Sequence, residues 1–538
     1  MKKHNTFKVV LGTALIFVIL SWIIPAAYYS GEFIDQGLVQ EGLFDFFNYS
    51  LTSLSYFGYL SLYVIFVGGF YGVLNLIPAY HNLLEAIANK VAKREKIVLA
   101  IIMILLAAIV SVYGIEIEMF LFVPFLVSLI LLMGFDKIVA ALTIVGSSLV
   151  GVAGATYAYN KVGTLMQFLS LDITSDIYVK LMILLVGLVL LIFNTLLYIK
   201  KSESTKVISK KEEKKEEKKE EVVVEKAIAE KVELPKREES KKTTKTTTKS
   251  SSKKAAKKTS KSSKSSKSHI KAAVKDDEVI VVKNEKEEAK TNTSKKQRVW
   301  PIAVVFSLLL VLVLFAFCPW TPAFEVTWFD EAKTAVNEFT LFEFPIFAKL
   351  LGTYNSFGTW MPTDLFLPLT LSILILALIY KVKLSEVFEG FANGAKKALG
   401  PAGMMLILYT ILVLVTYHPF QLTIYKAILG LSKGFNIATT TVVAMLAGLF
   451  NGDIAYSLQS VLPYYTSVVT NTDFYSAIGV LFQSVYGVTM LVAPTSLVLM
   501  VVLTYLDIPY TKWLKNIWKF IVEFLVLILI VIAILVLL

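Results

Sequence analysis

Apolar runs of about 18 to 22 residues recur from one end of the chain to the other, separated by short polar stretches. Helices of that length cross a hydrocarbon core, because 20 residues rising 1.5 Å each reach roughly 30 Å. The pattern predicts nine spans, at 9–28, 52–77, 138–160, 180–198, 300–318, 363–380, 399–418, 474–506 and 518–538. Two further apolar regions fit no simple span. Ile97 to Tyr113 and Met119 to Met133 flank "GIEIE", and Asn436 to Phe450 and Ile454 to Val469 flank "NGD". Arms of 15 to 17 residues reach only about 22 to 26 Å, so re-entrant hairpins are predicted over 97–133 and 436–469. The alternative is a pair of full-span hairpins with acidic tips in water.

Composition agrees with the pattern. The 538 residues are 56% hydrophobic and 17% charged, with a mean hydropathy of +0.66, so the predicted fold class is an all-α polytopic membrane protein. The amino-terminal apolar run imitates a signal peptide but lacks a cleavage-like taper, and is read as an uncleaved first helix. The single cysteine, Cys318, excludes an intramolecular disulfide and reads as a small apolar helix residue. Charge is concentrated in one place. Residues 200–298 hold 32 Lys/Arg against 18 Asp/Glu, a surplus of 14 that leaves the rest of the chain at about −2 of the total +12. That insert cannot bury enough apolar surface to fold; it is expected as a disordered tether whose first part forms a transient helix. No aromatics interleave with its basic residues, which disfavours specific nucleic-acid binding and leaves contact with anionic lipids.

Lysine and arginine set the expected orientation. The loop 29–51 has none, whereas 79–96 carries Lys90, Lys93, Arg94 and Lys96, so the amino-terminus and the insert are expected in the cytoplasm of a plasma-membrane protein and the carboxyl-terminus outside. The order span, Pro, amphipathic helix, hairpin, Asp-led span, final helix occurs twice. Pro78, Gly114, Asp136 and Gly154 match Pro419, Gly452, Asp473 and Ala493 at offsets of 341, 338, 337 and 339. Copies that start on opposite sides are inverted repeats, an architecture of secondary transporters. The expected organisation is a first scaffold helix and loop (1–51), repeat 1 (52–199), the insert (200–298), linking scaffold helices (299–398) and repeat 2 (399–538), with spans 9–28, 300–318 and 363–380 outside the repeats.

Interrupted helices at membrane depth are tolerated only where they line a cavity or pack on protein, so both hairpin tips and both helix breaks mark a candidate substrate and ion site. Repeat 1 supplies Ser111, Tyr113, Gly114, Glu116, Glu118, Gly154, Thr156 and Asn160; repeat 2 supplies Asn451, Gly452, Asp453, Ser457, Gln459, Pro494, Thr495 and Ser496. Oxygen donors at Thr156, Asn160, Asn451 and Thr495 suit a sodium ion. Glu116, Glu118 and Asp453 have no Lys or Arg in either hairpin, and unpaired intramembrane acids are expected to face a proton, sodium or a cationic substrate group. Asp136 and Asp473 read as helix caps, His81 and His418 as surface residues, "GGFYGVL" at Gly68 as a close helix contact, and Trp22, Trp300, Trp320, Trp360, Trp513 and Trp518 as an interfacial belt. No catalytic residue or cofactor is expected. An intramembrane aspartyl protease needs two acids sharing a proton, and Asp136 and Asp453 are expected far apart. No phosphate-binding loop is present for an ATP-driven pump, and a channel fits broken-helix repeats less well than a carrier does.

The segments "SWIIPAAYY", "GGFYGVL", "GFDKIVAALTIVGSSLVG", "FANGAKKALGPAGMM" and "APTSLVLMVVLTYLDIPYTKW" resemble the YfcC-like branch of the DcuC anaerobic dicarboxylate carriers, within the ion-transporter superfamily. The resemblance covers both membrane halves and excludes the insert. It implies a scaffold domain, a moving transport domain, elevator-type transport and often a homodimer. The family's glycine followed by paired acids is matched by Gly114, Glu116 and Glu118. The family's Asn-Pro after the first break is replaced by "YAYNK", its small second tip by "FNGDIAYSLQ", and Leu497 stands where Gly is common. Asp453 adds negative charge, which favours basic amino acids, as in arginine/ornithine exchange. A four-carbon dicarboxylate or short-chain carboxylate carrier, or a sodium/proton antiporter, is the alternative.

Overall fold

The computed structural model describes residues 5–230 and 297–537. Residues 1–203 with 297–538 form one compact unit and 204–296 a second. The disorder expected for the Lys/Ser/Thr-rich tract falls on 231–296 and lies outside the described residues.

The first unit is helical apart from one two-stranded hairpin. Helix α1 (Asn5–Ile23) leads through β1 (Ala26–Tyr29) and β2 (Phe33–Gly37) to α2 (Leu43–Leu74), α3 (Pro78–Lys90), α4 (Glu95–Tyr113), a 3-10 turn (Glu118–Phe122) and α5 (Val123–Leu132). Next come α6 (Lys137–Ala141), a π-helical turn (Leu142–Gly146), α7 (Ser147–Ala153), α8 (Tyr159–Leu169) and α9 (Ile177–Glu230). After the insert follow α10 (Trp300–Phe317), α11 (Trp320–Phe324), α12 (Trp328–Glu338), α13 (Ile346–Leu351), α14 (Phe366–Tyr380) and α15 (Leu384–Tyr417). The chain ends with α16 (Gln421–Leu429), α17 (Ile437–Phe450), α18 (Ile454–Val468), α19 (Tyr475–Met490), α20 (Leu497–Leu506) and α21 (Tyr510–Leu537).

Eight helices among the described residues are long and apolar enough to cross a bilayer. Seven coincide with predicted spans; the eighth is α4, which begins two residues before the predicted hairpin arm and, with 19 residues, reaches about 28 Å. The two segments expected as broken helices, 138–160 and 474–506, are indeed discontinuous. Residues 154–158 and 491–496 interrupt them, and the first broken helix runs on to Leu169 as α8. The other hairpin arms are short. Helix α5 has 10 residues, α17 has 14 and α18 has 15, or roughly 15 to 22 Å, too short to span.

Helices α2 and α15 form the most extensive pair, and glycine sets how closely they approach. A Cβ at Gly72 would fall 2.1 Å from the Gly390 carbonyl, and one at Gly394 would fall 2.2 Å from that of Gly68. The expected contact at Gly68 is therefore a small-residue stripe on both helices. Helix α1 packs on α15 and α14 on α2.

Several local expectations change. Asp136 caps α6, accepting from Val139 N at 3.0 Å. Asp473 does not cap; it lies inside the 3-10 turn Thr472–Phe474, and Asn471, the residue before that turn, caps it, its Oδ1 accepting from Asp473 N at 3.0 Å. His418 is 4% exposed rather than a surface residue. Trp513, expected in the interfacial belt, is fully buried, whereas Trp22, Trp300 and Trp518 are half exposed or more. Cys318 is buried as expected and follows the end of α10.

Candidate functional site

Each hairpin tip closes on the broken helix that follows it in the chain. In the first repeat α4 ends at Gly114, whose φ of +69° caps the helix in the left-handed region. A Cβ there would lie 1.8 Å from Asn160 Oδ1, and Asn160 Nδ2 donates to the Gly114 carbonyl at 3.2 Å. One turn earlier Ser111 Oγ donates to the Gly154 carbonyl at 2.8 Å, while Thr156 N donates to the Ser111 carbonyl at 2.8 Å. In the second repeat a Cβ on Gly452 would lie 1.9 Å from the Thr495 carbonyl, and Thr495 Oγ1 donates to the Leu449 carbonyl at 2.9 Å. Tyr486 Oη donates to the Gly452 carbonyl at 2.9 Å. Asn451 is buried, with Oδ1 lacking a hydrogen-bond partner among the described residues.

The carbonyls freed by the two breaks are satisfied from elsewhere, as buried backbone requires. Gln483 Nε2 and Ser484 Oγ on α19 donate to the Ala155 and Ala153 carbonyls, both at 2.8 Å, so the second broken helix closes the first. Trp513 Nε1 donates to the Leu491 carbonyl at 2.8 Å, and Tyr510 Oη donates to that of Val492. The "YTKW" segment therefore does structural work: it holds the second break open.

The principal departure from expectation is Lys161. It lies on α8, beyond the predicted end of its span, and its amine forms an ion pair with Glu116, the two side chains being 15% and 14% exposed. It also lies within electrostatic reach of Asp453 and Glu118. Glu116 thus has a cation from the protein itself, and the expectation of an unpaired acid is corrected there. The other two acids are partly engaged. Glu118 Oε2 accepts from Glu116 N at 3.0 Å, and Asp453 Oδ1 caps α18 by accepting from Ala455 N at 2.9 Å and Tyr456 N at 3.3 Å.

A tyrosine wall faces this cluster. Tyr63 Oη on α2 donates to the Glu118 carbonyl at 2.6 Å. Tyr59 and Tyr456 lie in the field of Asp453, as do Tyr409 and Tyr486, which Glu116 also reaches. Phe57 stacks on Tyr409 with centroids 4.3 Å apart. Tyr456 was legible as part of the second hairpin; Tyr59, Tyr63, Tyr409, Tyr486 and Lys161 lie outside the hairpins and were not, the signal available for the last being one lysine following "YAYN". Beside Glu116 a cavity of about 450 Å³, its open mouth included, is lined by apolar side chains such as Leu106, Phe120, Met405 and Leu497, with Ser148 its other polar residue.

The remaining candidates divide. Gly154, Pro494 and Ser496 sit in the breaks, and Ser457 is buried on the first turns of α18. Tyr113 lies near Cys318 at the end of α10, away from the acids, and Gln459 is exposed on α18 and joins no contact of the cluster.

Paired broken helices and short hairpins around a partly buried charge cluster are consistent with a polytopic membrane transporter. The sequence matches the C4-dicarboxylate anaerobic carrier (DcuC) family over residues 4–235 and 256–537, and the chain belongs to that family, a family of transporters rather than enzymes. No curated protein matches it.

Proposed function

We propose that the chain is an ion-coupled secondary carrier of small carboxylate solutes in the plasma membrane, with four-carbon dicarboxylates as the first substrate class. The observation that carries this reading is the Glu116–Lys161 pair between the two hairpin tips, in a chain whose family carries C4-dicarboxylates. An ammonium beside hydroxyls and helix amino-termini suits a substrate carboxylate. Charge then demands coupling. Glu116, Glu118 and Asp453 against Lys161 leave an excess of two negative charges when all are ionised, and a dianion raises it further, a cost in a low-dielectric site unless cations enter too. Asn451 Oδ1, without a partner among the described residues, offers an oxygen ligand for such a cation, and Asn160 supplies a second amide; Thr156 and Thr495 spend their hydroxyl protons on backbone carbonyls and keep lone pairs.

In this reading the two copies are inverted repeats, with the amino-terminus and insert cytoplasmic and the carboxyl-terminus external. The α2–α15 pair belongs to a scaffold that dimerises, and the hairpins and broken helices move against it as an elevator. The insert contacts anionic lipid. The YfcC-like placement within the family belongs to the same reading. A second reading, exchange of basic amino acids such as arginine and ornithine, is favoured by the acid excess and by the apolar cavity beside Glu116, which suits an aliphatic stem.

Proteoliposome uptake separates the two. Labelled succinate accumulating under an imposed sodium or proton gradient, and competed by fumarate but not arginine, supports the dicarboxylate reading. Saturable arginine counterflow without succinate uptake replaces it with the second.

A further inference from the structure

A strap, residues 24–42, joins α1 to α2 and crosses the elbow between α15 and α16. Its strands pair antiparallel. Ala27 N donates to the Pro419 carbonyl at 3.1 Å, and Thr423 Oγ1 donates to that of Pro25 at 2.6 Å, which fastens the strap to the elbow. At its turn Phe33 lies 3.6 Å from Lys426 Nζ, and Tyr29 and Phe33 meet Tyr464 of α18 edge to face, with centroids 5.9 and 5.8 Å apart. The strap therefore touches both the elbow and an arm of the second hairpin.

Its root encloses a carboxyl group. Trp22 Nε1 donates to the Glu41 carbonyl at 2.7 Å, and Glu41 N donates to Ser21 Oγ at 3.4 Å. His418 Nδ1 and the Val39 carbonyl are 2.8 Å apart, as are His418 Nε2 and Tyr49 Oη. A carbonyl only accepts, so Nδ1 carries hydrogen. Glu41 is 1% exposed, and neither carboxyl oxygen has a hydrogen-bond partner among the described residues. The titratable groups facing it are Asp45 and Tyr49 on α2, with Tyr417 and His418 of α15 packed behind Tyr49. An ionised Glu41 meets the Asp45 carboxylate, and no hydrogen-bond or ion-pair partner among the described residues compensates it.

We infer that Glu41 is a proton-binding site, separate from the carboxylates at the hairpin tips, that holds the strap over the α15–α16 elbow while protonated and loosens it on ionisation. An unpartnered carboxylate sealed from water is costly, whereas the neutral acid is tolerated. Burial, with Asp45 beside it, pushes the Glu41 carboxyl from 4.5 up to about 7. The closed strap therefore binds the proton more tightly than the open one. Its advantage is complete below about pH 4.5 and is lost as pH rises toward 7, by roughly tenfold per pH unit within that window. The elbow leads into the second hairpin, so this site links outside acidity to the freedom of that hairpin.

Hydrogen–deuterium exchange of the purified chain at pH 5.0 and 7.5, corrected for intrinsic rates, tests the inference. Protection of residues 26–42 is expected to fall at least tenfold between the two pH values in the wild type, and to stay high at both in Glu41→Gln. Asp45→Asn, which keeps an acceptor for Gly42 N, lowers the upper end of the window and shrinks the fall. Equal wild-type protection at both pH values overturns the inference, as does a wild-type fall retained in Glu41→Gln; the wild-type and Asp45→Asn data decide if Glu41→Gln does not fold.

Discussion

Lys161 and Glu116 are 45 residues apart in sequence, and their ion pair brings the helix after the first break against the acids of the first hairpin tip. That contact gives one of the acids at the first tip a cationic partner from the protein itself, at a site otherwise supplied with acids.

Lys161→Met is expected to abolish dicarboxylate uptake and to destabilise the fold, because it leaves Glu116 buried without its partner, at a cost of roughly 3 kcal/mol. The double variant Lys161→Met with Glu116→Gln restores most of the melting temperature in detergent but not uptake. Melting and uptake of the singles and the double, taken as a cycle, measure the coupling.

Gly452→Ala is expected to eliminate transport. Its Cβ would meet the Thr495 carbonyl at 1.9 Å, a backbone atom that cannot turn aside. Gly114→Ala meets the end of the Asn160 side chain at 1.8 Å, which can swing away, but adds left-handed strain of about 1 to 2 kcal/mol. Initial uptake rates rank Gly452→Ala below Gly114→Ala, and Asn160→Ala partly restores the melting temperature of the latter but not its uptake.

Gln483→Leu removes the donor to the Ala155 carbonyl inside a packed interface and is expected to cost roughly 1 to 3 kcal/mol. Ser484→Ala costs less, because Gln483 Nε2 also lies 3.4 Å from the Ala153 carbonyl. Denaturant or thermal unfolding in detergent reads the difference.

Trp513→Phe is expected to lose about 1 kcal/mol with the Leu491 hydrogen bond, and Trp513→Ala roughly 3 to 5 kcal/mol with the whole buried ring. A belt residue would tolerate both changes, so the melting temperatures of the two variants distinguish the roles.

What the sequence disclosed follows from what each feature depends on. The two short apolar arms around "NGD" over 436–469 were readable from their length, and helices of 14 and 15 residues stand there. The first break was readable from "GAT" and the second from "APTS". Lys161 was not, because it follows the predicted end of a span and only the fold shows that α8 continues and turns its amine to Glu116. Trp513 read as interfacial by its place near a span end, but its indole finds a carbonyl left free by a break in another helix, a long-range fact with no local signature. The π-helical turn at Leu142–Gly146 likewise leaves no mark in an apolar run.

The most direct measurement is an experimentally determined structure of the carrier with a four-carbon dicarboxylate and sodium. The account predicts the ligand between the two hairpin tips, with one carboxylate on the Lys161 ammonium and Glu116 turned from it toward a cation. A dicarboxylate bound elsewhere, with the Glu116–Lys161 pair intact, would contradict it.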